Sequence, residues 1–77
     1  MAKLRRVTGD ELIKALIRAG FEVVRQRGSH VQVRKFVGGR KITFPVPVHK
    51  GKMLKIGTLK GILRKADISE DELQELL

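Results

Sequence analysis

Gly38 and Gly39 stand side by side between two runs rich in β-branched and aromatic residues, 30–37 and 40–48. A two-residue hairpin loop of type I′ needs φ > 0 at both central positions, and a glycine pair meets that demand without steric cost. The turn therefore closes between Val37 and Arg40, and paired residue numbers beyond it sum to 77. Backbone-bonded pairs alternate with non-bonded ones in an antiparallel ladder, so 37/40, 35/42, 33/44 and 31/46 are bonded, while 36/41, 34/43, 32/45 and 30/47 are not. Pro45 and Pro47 both fall in non-bonded pairs, where the backbone nitrogen points away from the neighbouring strand. Two prolines there are tolerated only if nothing pairs beyond, which predicts that this strand is a sheet edge. Val31, Val33, Ile42, Phe44 and Val46 share one face and form core; His30, Gln32, Arg34, Lys41 and Thr43 share the other and stay wet. Lys35 falls on the apolar side near the hairpin tip and is expected to extend its ammonium to water.

The run Phe21–Gln26, closed by the turn Arg27-Gly28-Ser29, adds a strand and completes a three-stranded antiparallel meander. Thr8-Gly9-Asp10-Glu11 is a capping box, and Leu12, Ile13, Leu16 and Ile17 form one apolar stripe before Gly20, which predicts a helix over about 9–19. Leu59, Ile62, Leu63 and Ala66 repeat at helical spacing and predict a second helix from Gly57 or Thr58 to Ala66, packed on the apolar sheet face. Asp67 stands where a helix end usually has glycine. Ser69-Glu70-Asp71-Glu72 is another capping box, and Leu73, Leu76 and Leu77 give a last short helix an apolar side. Residues 1–7 are expected to be a loose basic arm and 67–77 an acidic C-terminal segment of one α+β domain spanning 1–77, because 77 residues are too few for a second core.

Charge narrows the partner class. Seventeen Lys and Arg oppose eight acids, for a net charge of +9, and five of those acids lie in 67–77, where there is no base. A basic body with an acidic tail is the footprint of a nucleic-acid binder, since each cation that neutralises a phosphate releases a counterion. The only aromatics are three Phe, too few for an extended stacking platform, so affinity for a polyanion is expected from charge. With no cysteine there is neither a disulfide scaffold nor a thiolate metal site, and a cytoplasmic location is the simplest expectation. Apolar stretches are four residues or fewer, against the roughly 20 of a membrane helix. No glycine-rich loop ends in Lys-Ser or Lys-Thr, and neither Ser29 nor Ser69 has a visible acid–base relay, so P-loop and serine-hydrolase chemistry lack support.

His30 is the one histidine inside a strand, on the wet face, immediately after Gly28-Ser29, which offer open backbone and a hydroxyl. A neutral imidazole can take a proton from a ribose 2′-OH; the plainer alternative is a surface histidine at a strand end. The register sets His49 two residues beyond the partner of His30, at the same end of the sheet, so the two imidazoles are expected within reach of one ligand and able to share acid and base roles, or phosphate binding. Two histidines without a nearby carboxylate or thiol leave too few ligands for a metal. Lys50, Lys52 and Lys55 precede the second helix and, with its N–H groups, form either a phosphate seat or a solvated basic loop. Arg25, Arg27 and Arg34 extend the positive surface towards His30.

Gly20-Phe21, Arg25-Gln26-Arg27-Gly28-Ser29-His30, Val46-Pro47-Val48-His49, Gly57-Thr58-Leu59 and Ile62-Leu63-Arg64-Lys65-Ala66 followed by Ile68-Ser69 together resemble the HicA (YcfA-like) toxins over roughly residues 8–69. The resemblance implies a double-stranded-RNA-binding-domain-like fold of order α-β-β-β-α and a metal-independent ribonuclease that cleaves mRNA without a cofactor. The histidine after the Gly-Ser turn, here His30, would be catalytic, and a HicB antitoxin would cover the active site. Asp67 replaces a glycine usual in the family, and residues 1–7 and the acidic last helix lie outside the likeness. Two other readings share the basic face: a non-catalytic RNA-binding module, and a docking groove for an acidic antitoxin segment.

Overall fold

In a computed structural model that describes residues 4–77, the chain runs α1 (Gly9–Arg18), β1 (Glu22–Arg27), β2 (His30–Val37), β3 (Arg40–Pro47), α2 (Ile56–Ala66) and α3 (Glu70–Leu76). The strands form one antiparallel sheet in the order β1-β2-β3. The fold is α+β, with the α-β-β-β-α order of double-stranded-RNA-binding domains and a short helix added. Gly38 and Gly39 take φ of 56° and 80°, and β2 pairs with β3 from Val37↔Arg40 to His30↔Pro47, the register that the glycine pair predicts. β3 is a sheet edge, as its two prolines require.

Alternation decides which face is core. Val31, Val33, Phe44 and Val46 are buried beneath Leu12, Ala15 and Leu16 of α1 and Leu59, Ile62, Leu63 and Ala66 of α2. Phe21 and Phe44 meet edge to face with ring centroids 5.4 Å apart. α3 contacts α1, burying Leu73, and the Arg18 guanidinium donates to the Leu76 carbonyl. Both capping boxes form. The Thr8 backbone N–H donates to the Glu11 carboxylate at 2.9 Å, the main reason that carboxyl sits below its ordinary pKa. Asp67 does adopt the left-handed conformation of a helix stop, with φ 58°.

Two expectations are corrected. The Lys35 ammonium does not extend to water: it donates to the Ala19 carbonyl at 2.7 Å and lies 5.5 Å from the centroid of Phe21. The last turn of α1 leaves unpaired carbonyls at its negative dipole end, and a cation on the facing strand satisfies one of them. Nor is the N-terminal segment loose where it is described. Val7 is fully buried, its carbonyl accepts the Leu54 N–H at 2.8 Å, and Thr8 forms an isolated β-bridge with Met53. Leu4 packs on the core as well, while residues 1–3 of the expected arm lie outside the described residues.

Gly9 is where α1 crosses the end of β3. A Cβ there would lie 2.5 Å from the Pro47 carbonyl oxygen and 2.9 Å from the Val48 Cα, both backbone atoms that cannot swing aside. Gly9→Ala is therefore expected to destabilise by about 1–3 kcal/mol, outweighing the roughly 1 kcal/mol that alanine gains over glycine inside a helix. Urea unfolding followed by circular dichroism measures this; a midpoint at or above wild type would mean that α1 lifts off β3 freely.

Candidate nucleic-acid interface

Both helices α1 and α2 cover one side of the sheet, which leaves the other open. His30, the first residue of β2, is exposed on that open face. In the preceding turn Gly28 has φ 57° and Ser29 does not have positive φ, the pattern of a type II′ hairpin, and the Gln26 side chain donates to the Gly28 carbonyl at 3.1 Å. A Cβ on Gly28 would meet nothing within 4 Å, so the turn backbone is open to a ligand. Across the turn, Arg27 pairs with His30 and Arg25 with Gln32.

Arg25, Arg27, His30, Gln32 and Pro45 line a shallow depression of about 430 Å³. Two arginines share the hollow with the imidazole and no carboxylate lines it, so the field there favours an anion. Gln32 is fixed by donating to the Thr43 hydroxyl at 2.9 Å, which in turn donates to the Val33 carbonyl at 3.0 Å. Sequence reading put Gln32 and Thr43 on this face without assigning either to the site; Pro45, facing Gln32 in the 32/45 pair, was the available signal for a wall.

The expected positive surface divides into parts. Arg34 lies two residues beyond Gln32 on the same face, but it is ion-paired with Glu22 and packs 5.3 Å from the centroid of Phe36. A bulge between Val23 and Arg25 makes this pair possible, because it shifts the register so that Glu22 lies opposite Arg34 rather than opposite a core-facing position. The Val23-Val24 doublet, which breaks strict alternation, was its sequence trace. His49, Lys50, Lys52 and Lys55 do not line the depression. They belong to the segment that leaves the His30 end of the sheet, where the Val48 N–H donates to the Ser29 carbonyl at 2.6 Å. Lys55 is the N-cap of α2 and makes no side-chain capping hydrogen bond. Among the described residues, no three His, Asp or Glu side chains converge as metal ligands.

Fold and surface together define a small α+β protein that carries an exposed histidine and arginines on a helix-free sheet face. The sequence model described as the HicA toxin of bacterial toxin–antitoxin systems matches residues 9–68, from the first turn of α1 to just past α2. The chain belongs to the HicA toxin family. Membership makes it the toxin half of a toxin–antitoxin pair and implies an antitoxin partner. Among curated proteins and among solved structures, none matches the chain significantly. No helix among the described residues is long and apolar enough to cross a membrane.

Proposed function

We propose that the protein is an endoribonuclease toxin that cleaves mRNA, with His30 as the acid–base residue. The observation that supports this most directly is an exposed imidazole that shares with Arg25 and Arg27 a hollow without a carboxylate. The two guanidinium groups hold the scissile phosphate by charge-assisted hydrogen bonds, which also offset charge that builds on phosphorus during attack. The neutral imidazole accepts the ribose 2′-OH proton, the 2′-oxygen bonds to phosphorus, and the bond from phosphorus to the 5′-oxygen breaks. That oxygen takes a proton from the imidazolium or from His49. The products are a 2′,3′-cyclic phosphate and a 5′-hydroxyl end. Gly28 and Ser29 offer open backbone and a hydroxyl to the same phosphate, and Lys50, Lys52 and Lys55 draw in the strand beyond it.

No step here calls on a metal or cofactor. A HicB-like antitoxin that covered this face would shut the reaction off by occupying the phosphate-binding cations. A cytoplasmic location follows from mRNA as substrate.

Incubating an unstructured RNA with the protein in EDTA tests the chemistry. Cleavage products ending in cyclic phosphate are expected; dependence on added divalent metal would overturn the mechanism. Salt-sensitive binding with no product at any pH would leave a non-catalytic RNA-binding module on the same face.

A further inference from the structure

Two of the three phenylalanines are buried in the core, but Phe36 is 62% exposed. It stands on β2 six residues from His30 and on the same face, roughly 20 Å along the strand at 3.3–3.4 Å per residue. Its surroundings are cationic. The Arg34 guanidinium carbon lies 5.3 Å from the ring centroid and is held there by Glu22, while Lys41 is the cross-strand partner and Arg40 follows the hairpin turn. Glu22 is therefore the acid at this end of the face, and its charge is already spent on Arg34. An exposed ring among Arg and Lys suits a partner that carries π faces and negative charge together, as an unpaired nucleotide does.

We propose that Phe36, with Arg34 against it, is a stacking subsite for one unpaired base of the RNA strand that crosses His30. The inference rests on the RNA reading above and refines it: the substrate is single-stranded along β2, because a base held in a duplex cannot turn onto the ring. Arg34 supplies a cation to the ring and to the adjoining phosphate, and Glu22 positions Arg34.

The chain contains neither Trp nor Tyr, so Phe36→Trp places one fluorophore at the subsite. In a His30→Ala background, titration with a short unstructured oligoribonucleotide should quench that emission, and inorganic polyphosphate at equal charge should not. Phe36→Ala and Phe36→Leu should each weaken oligoribonucleotide binding by roughly 5- to 150-fold, the range expected for one lost base stack, with the salt dependence unchanged. An abasic nucleotide at one position of the strand should remove the quenching. Unaltered emission while labelled RNA still binds would overturn the subsite and leave the ribonuclease reading intact. No RNA binding even at low salt would overturn both. Undiminished RNA affinity in Phe36→Ala, combined with weaker binding of the antitoxin, would assign the ring to a protein contact instead.

Discussion

Replacing His30 by alanine is expected to lower the rate of RNA cleavage by roughly 10²–10⁴-fold, the contribution usual for a positioned acid–base group. The fold should survive, because His30 is exposed and no hydrogen bond holds its side chain among the described contacts. A surface change of this kind ordinarily stays within about 0.5 kcal/mol of wild-type stability. Binding should survive as well, since Arg25 and Arg27 provide the charge and are untouched. The diagnostic result is thus a protein that binds RNA with an unchanged salt slope and scarcely cuts it. Cleavage by His30→Ala at the wild-type rate would remove His30 from the mechanism. His49→Ala divides the remaining work: a loss of similar size means that two imidazoles share acid and base roles, whereas a small loss leaves both proton transfers to His30.

Leu59→Ala should damage the fold severely for so small a change. Leu59 has no exposed surface, it lies in the first turn of α2, and it belongs to a core of buried apolar side chains. Removing a buried leucine down to its Cβ costs about 2–5 kcal/mol through lost transfer energy and the cavity left behind. A domain of this length has roughly 4–12 kcal/mol in total, at ~0.05–0.15 kcal/mol per residue. The variant should therefore melt at least about 8 °C below wild type, read by circular dichroism. Lys60, the exposed next residue, is the control: Lys60→Ala should stay within about 0.5 kcal/mol. Equal effects at the two positions would mean that α2 does not seal the sheet.

Much of the fold was legible locally because each signal used only neighbouring residues. The glycine pair set the β2–β3 register, two prolines marked β3 as an edge, and Thr8/Glu11 and Ser69/Glu72 marked two helix starts. The start of α2 at Ile56, one or two residues before the expected Gly57 or Thr58, reflects an N-terminus without a side-chain cap to announce it. Lys35 escaped because its partner, the Ala19 carbonyl, is 16 residues away and is offered by a helix end. The N-terminal segment escaped for the same reason, since Val7 and Thr8 find their partners at 53–54.

The site divides along the same line. His30 and its open face could be read from alternation, and Arg25 and Arg27 from their nearness to the turn. The turn at 28–29 puts Arg27 opposite His30 and Arg25 opposite Gln32, whereas the diversion of Arg34 to Glu22 depends on the β1 bulge, which only paired strands reveal. Sequence alone determined the strand register, the two faces and the histidine, because hairpin stereochemistry and side-chain alternation act over a few residues. Tertiary structure decided which cations surround that histidine and which are already engaged, because charge pairing follows distances in space between strands and helices that the chain brings together only on folding.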